Sequence, residues 1–219
     1  MLPLLILPGW ASDVKRWQPL TGMLRQQKVS VQLIKVPYDR VRNTADFCFW
    51  LKNKTKNIRN FYLLGHSFGG QIAINFTAVY PGKVKKLILV NSAGIRKKVN
   101  IKRWLVTPLA QLSKTLIPDE YKSFFYRLLQ ATDYQRSTPV MKQILRKIIT
   151  EDQQKNLSQI HCQTLLIWGK DYRLTPLADG RLMHQLIMNS RLQIISGRHG
   201  LPFTHPKTLS RIVINFIKA

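Results

Sequence analysis

The chain has 219 residues, which is enough for one domain with a complete core and too few for two large domains. Its 35 Lys and Arg against 10 Asp and Glu give a formal net charge of +25. This excess has two equally weighted explanations. Either the basic surface attracts an anionic partner, or the protein has a basic surface that binds no partner. The basic residues are spread along the whole chain, which argues against nucleic-acid binding. Two cysteines, Cys48 and Cys162, exclude a disulfide framework and a cysteine-based zinc site.

The apolar run at residues 4–7 is too short for the hydrophobic region of a signal peptide and ends at Pro8. No run approaches the roughly 18 apolar residues of a membrane helix. We therefore expect a cytoplasmic protein without a membrane span.

Apolar patterning predicts strands and helices that alternate along most of the chain. Predicted strands cover residues 4–7, 29–36, 61–64, 84–90, 164–168 and 192–195. Predicted helices cover 14–27, 44–55, the segment with apolar residues at 72, 73, 76 and 79 that stops at Pro81, 179–186 and 205–218. This alternation favours a parallel sheet with helices on both faces.

A Gly65-x-Ser67-x-Gly69 motif lies between a predicted strand and a predicted helix. A serine at such a sharp turn adopts a strained backbone conformation, and a Cβ at the neighbouring glycines would collide with the strand or the helix. The turn exposes the Ser67 hydroxyl. It also directs backbone N–H groups at the helix N-terminus toward the space where an oxyanion would form.

This segment resembles the nucleophile elbow of the α/β-hydrolase superfamily, and much of the chain outside its middle section is similar to that family. The resemblance implies the α/β-hydrolase fold, a mostly parallel sheet with helices on both faces. Larger members place further strands ahead of the one that opens this chain, so we expect a short N-terminal edge of the sheet.

Residues 95–156 interrupt the alternation with apolar residues at helical spacing. The family inserts a helical cap over the active site at this place. We therefore predict a core of residues 1–94 and 157–219 with a cap at 95–156. The alternative is that these helices pack on a face of the core.

A serine nucleophile needs a histidine to take its proton and a carboxylate to orient that histidine. The chain itself leaves His199 and His205 as candidates, and the family's histidine follows the last strand, as His199 does; His205 suits a capping role before Pro206. Three histidines are set aside because of their positions: His66 within the elbow, His161 before a strand and His184 in a helix.

The acid is less clearly marked in the sequence. The family's aspartate stands three residues after the glycine that follows the preceding strand, which here is Tyr172. Asp171 lies one residue early, and a loop shortened by one residue would let it act. Asp179 is the second candidate, and a weakened or absent third member is the alternative.

The resemblance also implies an oxyanion hole formed by the backbone N–H groups of Trp10 and Phe68. Pro8 replaces the histidine that members usually carry, but a backbone N–H from Trp10 does not depend on residue 8. The alternative for Trp10 is a packing aromatic. No cofactor and no metal are implied.

The resemblance thus implies a serine hydrolase, with a carboxylic ester carried by a small molecule as the default substrate. Segments 7–10 and 199–206 are weakly similar to pimeloyl-acyl-carrier-protein methyl esterases, and the basic surface would suit an acidic carrier protein. Hydrolysis of a thioester or a carbon–carbon bond is a further alternative. A non-catalytic binding protein on the same fold is another.

Overall fold

The structure is a computed structural model that describes residues 1–38, 41–96, 138–148, 150–171 and 175–219. Within these residues a 6-stranded sheet has the order β2-β1-β3-β4-β5-β6, and all of its neighbouring pairs are parallel. Its strands are β1 (Leu4–Leu7), β2 (Val31–Leu33), β3 (Phe61–His66), β4 (Val84–Val90), β5 (Gln163–Gly169) and β6 (Ser190–Ile195). The predicted fold class is confirmed.

Helices connect these strands. They are a 3-10 turn at Val14–Trp17, α1 (Gln18–Gln26), α2 (Thr44–Lys54), α3 (Phe68–Val79), α4 (Pro139–Ile148), α5 (Gln154–Leu157), α6 (Leu177–Leu186), α7 (Leu201–Thr204) and α8 (Pro206–Lys218). None of the helices described here is both long enough and apolar enough to cross a membrane.

The core lies on both faces of the sheet because successive strand residues point to opposite sides. Leu5 and Leu7 pack with α2, α3, α4 and α6 on one face. Leu4 and Ile6 pack with α1 and α8 on the other face. A strand buried on both faces needs a continuous apolar run, and the sequence supplies one in β1.

The ends of the strands define two edges of the sheet. The carboxyl edge is formed by the loops that follow Leu7, Leu33, His66, Val90, Gly169 and Ile195. The amino edge is formed by the segments that precede Leu4, Val31, Phe61, Val84, Gln163 and Ser190. In open parallel sheets, sites form at the carboxyl edge.

The predicted cap at 95–156 lies mostly outside the described residues, which omit 97–137 and 149. Its described end packs on the core, since Ile144, Leu145 and Ile148 are buried in the same cluster as α3. Gln71 of α3 donates from Nε2 to the Ile148 carbonyl at 3.0 Å. The Gln153 N–H donates to the Gly94 carbonyl at 2.8 Å. The division into core and cap remains a prediction.

Candidate active site

Ser67 occupies the turn between β3 and α3 with a strained backbone. Its φ of 54° and ψ of −120° lie in a left-handed region that a residue with a Cβ rarely adopts. Such a conformation costs about 1–3 kcal/mol. The surrounding structure holds it: the Ser67 N–H donates to the Val90 carbonyl at 3.1 Å, and its carbonyl accepts from Ala93 N–H at 2.9 Å. The side chain is half-buried.

The glycines on either side of Ser67 are required by close backbone approach. A Cβ on Gly65 would lie 2.6 Å from the Gly69 carbonyl oxygen, and one on Gly69 would collide with the Leu7 carbonyl at the end of β1. The elbow therefore packs directly against β1. This is the steric reason predicted from the motif.

Trp10 and Phe68 lie beside each other at the carboxyl edge. Their ring centroids are 5.1 Å apart in an edge-to-face arrangement. Phe68 is the first residue of α3, where a backbone N–H has no partner within the helix. Tyr38 fixes the loop before Trp10 by donating from its hydroxyl to the Gly9 carbonyl at 3.1 Å. The rings of Trp10 and Phe68 are both buried. The oxyanion hole formed by their backbone N–H groups remains a prediction.

His199 lies in the loop after β6, next to the elbow. The ring of His66 donates from Nε2 to the His199 carbonyl at 3.0 Å, and the two ring centroids are 4.8 Å apart. Burial, with smaller effects of His66 and Arg16, holds the pKa of His199 well below its usual range. A neutral imidazole is the form that can accept a proton from a serine hydroxyl.

His66 has a different environment, because its Nε2 proton is committed to a backbone carbonyl. The ring is 2% exposed and packs against Trp17 and Phe203. Its Nδ1 makes no hydrogen bond within the described residues. Burial lowers the pKa of His66 to about 4. These contacts favour a structural role, as its position in the motif predicted.

The other three histidines are engaged elsewhere or exposed. His205 opens α8, and its Nδ1 is 2.8 Å from the Thr204 hydroxyl. His184 Nδ1 is 2.7 Å from the Ser190 hydroxyl. His161 is exposed. Over the described ranges, no group of three or more His, Cys, Asp or Glu side chains could hold a metal ion.

The backbone of Asp171 comes close to the His199 loop, since its N–H donates to the Gly197 carbonyl at 3.2 Å. Its side chain is exposed. Asp179 lies in the first turn of α6, as predicted. Tyr172 lies outside the described residues. The choice of acid remains a prediction.

Sequence reasoning did not single out Asn91, which is fully buried directly after β4 and has a φ of 43°. Its side chain contacts the last residue of β5 and the loop that follows β6. The available signal was an asparagine at the end of a strand, because asparagine tolerates left-handed φ better than most residues.

The family model described as the alpha/beta hydrolase fold matches residues 39–136. The uncharacterized hydrolase YugF of Bacillus subtilis is 23% identical over 98% of this chain and 89% of its own length. The 2-hydroxymuconate semialdehyde hydrolase of Pseudomonas putida is 27% identical over 71% of this chain, and the match spans 61% of that enzyme. The esterase EaEST from Exiguobacterium antarcticum superposes with a TM-score of 0.72 at 17% identity, covering 100% of this chain and 92% of that one.

The parallel sheet, the strand–serine–helix turn and the family match define an α/β-hydrolase fold. The chain has this fold and is similar to members of the α/β-hydrolase superfamily.

Proposed function

We propose that this protein is a serine hydrolase that cleaves carboxylic esters through an acyl-enzyme on Ser67. The observation that carries the proposal is the left-handed backbone of Ser67 at the N-terminus of α3. Strain of this kind persists where the surrounding structure enforces it, and it is concentrated at active sites. His66, directly before Ser67, also holds the backbone of His199.

The mechanism follows from these positions. Ser67 Oγ attacks the ester carbonyl carbon while its proton passes to His199. Backbone N–H groups of Trp10 and Phe68 stabilise the resulting oxyanion. The intermediate collapses, and the leaving alcohol takes the proton from His199. Water then attacks the acyl carbon and gives a proton to His199, and that proton returns to Ser67 Oγ as the carboxylic acid leaves.

Asp171 is proposed to orient His199 and to stabilise its cation during the reaction. The support is positional: the loops after β5 and β6 are joined by the hydrogen bond from Asp171 N–H to Gly197. A low pKa suits His199 as a base that is neutral at rest, but it weakens the driving force for taking up the proton. A carboxylate that approaches in the substrate complex would offset that cost.

A fluorophosphonate probe tests the nucleophile, because it reacts with an activated serine and not with an ordinary one. The wild type is expected to be labelled and to hydrolyse p-nitrophenyl esters, whereas Ser67→Ala should do neither. Ser92→Ala is the matched control, since Ser92 is fully buried at the same edge and donates only to a backbone carbonyl. Equal labelling of wild type and Ser67→Ala would contradict the proposal, and an unlabelled wild type would favour a non-catalytic binding protein.

Carbon–carbon bond hydrolysis is the second candidate. The similarity to the Pseudomonas 2-hydroxymuconate semialdehyde hydrolase favours it. Both reactions use the same fold, so the substrate decides between them. Turnover of 2-hydroxymuconate semialdehyde with no turnover of esters would favour this candidate over the ester hydrolase.

A further inference from the structure

The side chain of Asn91 connects the loop that follows β6 to the end of β5. Its Nδ2 donates to the carbonyls of Arg198 and His199, at 3.1 and 3.2 Å. Its Oδ1 accepts from the Gly169 N–H at 2.9 Å. One planar amide therefore ties the loop with the candidate base to the end of β5, where the candidate acid loop begins.

The backbone of Asn91 is fixed equally firmly. Its N–H donates to the Ile167 carbonyl at 3.0 Å, and its carbonyl accepts from the Thr175 hydroxyl at 3.2 Å. The preceding residue, Val90, accepts a hydrogen bond from the Ser67 N–H. The backbone next to Asn91 is therefore hydrogen-bonded to the elbow.

We propose that Asn91 is a positioning residue that sets the distance between His199 and Ser67. This inference rests on the proposed serine hydrolase function. The site needs a donor and an acceptor in one short side chain, at a residue with left-handed φ. Aspartate lacks the donor, and most other residues are strained at this φ. Asparagine meets both requirements.

Asn91→Gly removes the amide without adding backbone strain, because glycine adopts positive φ freely. Asn91→Asp keeps the shape but places a carboxylate against two carbonyl oxygens. Displacing a catalytic group by about 1 Å can cost on the order of 100-fold in rate. We expect both variants to lose about that factor in kcat and in the phosphonate labelling rate, with little change in KM. The pH at which labelling is half-maximal should also move.

The matched control is Asn60→Gly, which removes an amide that donates to the Gly82 carbonyl at the amino edge. It should retain wild-type kcat. Circular dichroism reports whether each variant is folded. A folded Asn91→Gly with wild-type kcat would overturn the inference, and so would unfolding of both Asn91 variants, which would indicate a structural role. An inactive wild type would instead refute the proposed function.

A second inference concerns the amino edge, where several exposed side chains are basic. They are Arg25 and Lys28 before β2, Lys54, Lys56 and Arg59 before β3, and Lys85 at the start of β4. No carboxylate lies on these segments. The cations of this edge are therefore not neutralised by acidic neighbours within the described chain.

The described carboxylates lie toward the carboxyl edge. Asp13 and Asp171 follow strands, and Asp46 and Asp179 lie in the first turns of helices that begin there. Glu151 accepts from the Thr44 N–H and Asp152 from the Arg96 N–H, both at that edge. The described negative charge is thus concentrated toward the carboxyl edge, whereas exposed basic residues lie at both edges.

The amino edge also exposes apolar side chains. Val79 is 53% exposed before β4, and Met188 is 93% exposed before β6. Next to Val79, at the starts of β3 and β4, Arg59, Lys83 and Lys85 line an open concavity of about 500 Å³. Cations next to exposed apolar groups suit the interface of a lipid bilayer, where phosphates lie above an apolar layer.

We propose that the amino edge docks on a membrane surface that contains anionic lipids. This inference does not depend on the proposed function. A polynucleotide would satisfy the cations, but it would leave Val79 and Met188 in water. Docking by this edge leaves the carboxyl edge, with Ser67, facing away from the bilayer.

Sedimentation with vesicles tests this proposal. The wild type should bind vesicles of equimolar phosphatidylcholine and phosphatidylglycerol, and should not bind phosphatidylcholine alone. The variant K54Q/K56Q/R59Q should bind on the order of 100-fold more weakly, because each basic residue near an anionic surface contributes about a factor of five. Met188→Ser should also bind more weakly at unchanged charge.

The control variant K147Q/K155Q/K207Q loses the same charge from exposed lysines on α4, α5 and α8. It should bind nearly as tightly as the wild type. Equal weakening by the two triple variants would overturn the proposal, since net charge alone would then explain binding. Binding to a single-stranded polynucleotide without binding to anionic vesicles would overturn it as well.

Discussion

Acid should destabilise the folded protein through His66. In the unfolded chain this histidine takes up a proton below its ordinary pKa of 6.5, whereas burial lowers its pKa in the folded protein to about 4. Between these values the unfolded state binds more protons, so the free energy of unfolding falls as the pH falls. The full difference corresponds to about 3 kcal/mol, of which about 2 kcal/mol is lost between pH 7 and pH 5.

Urea unfolding followed by circular dichroism measures this loss at each pH. His66→Gln removes the titrating group and keeps an amide that can donate to the His199 carbonyl. Between pH 7 and pH 5 the wild type should lose about 2 kcal/mol more of its free energy of unfolding than His66→Gln does. The exposed His161 provides the control variant, His161→Gln. The reasoning would be refuted if wild type and His66→Gln lost the same stability on acidification.

Three further predictions concern the elbow and the acid. Ser67→Gly should abolish activity and raise the free energy of unfolding by about 1 kcal/mol in urea titrations, because glycine relieves the left-handed strain; a loss of stability would contradict the strain. Gly69→Ala should destabilise the protein by about 3 kcal/mol, because the added Cβ collides with the backbone at the end of β1. Gly22→Ala is its control: a Cβ added at this position inside α1 has no atom within 4 Å, and the change should stabilise the protein by about 0.5–1 kcal/mol. Asp171→Asn should lower turnover of p-nitrophenyl esters by about 10⁴-fold and Asp179→Asn should do little, so equal effects would remove Asp171 from the mechanism.

Local sequence signals predicted the strands best where both faces are buried. The predicted bounds of β1 and β4 are confirmed, because their apolar runs end abruptly at Pro8 and Asn91. The helix predicted at 14–27 was wrong in its first turn, which is 3-10; the α-helix begins at Gln18, with Pro19 in its first turn. The strand predicted at 29–36 is only Val31–Leu33, since it pairs with β1 alone at the border of the sheet.

In the candidate site, too, some features were predictable from local sequence and others were not. The turn at Ser67 was predictable because the residues that force it are neighbours in sequence. Asn91 was not, because its side-chain partners Gly169 and Arg198 are 78 and 107 residues away. Its role depends on which strand ends become adjacent, and that is a property of the sheet order.

The hydrogen bond between Gly94 and Gln153 has a consequence for how this protein can change. The Gln153 N–H donates to the Gly94 carbonyl at 2.8 Å, so these two residues lie next to each other although they are far apart in the sequence. Closing a longer or shorter loop at that point alters the entropic cost only with the logarithm of its length. An exchange of the connection between Gly94 and Gln153 for one of another length would therefore change the loop-closure entropy only slightly. New substrate preferences could arise by such an exchange, while the elbow and its strand neighbours stay as they are.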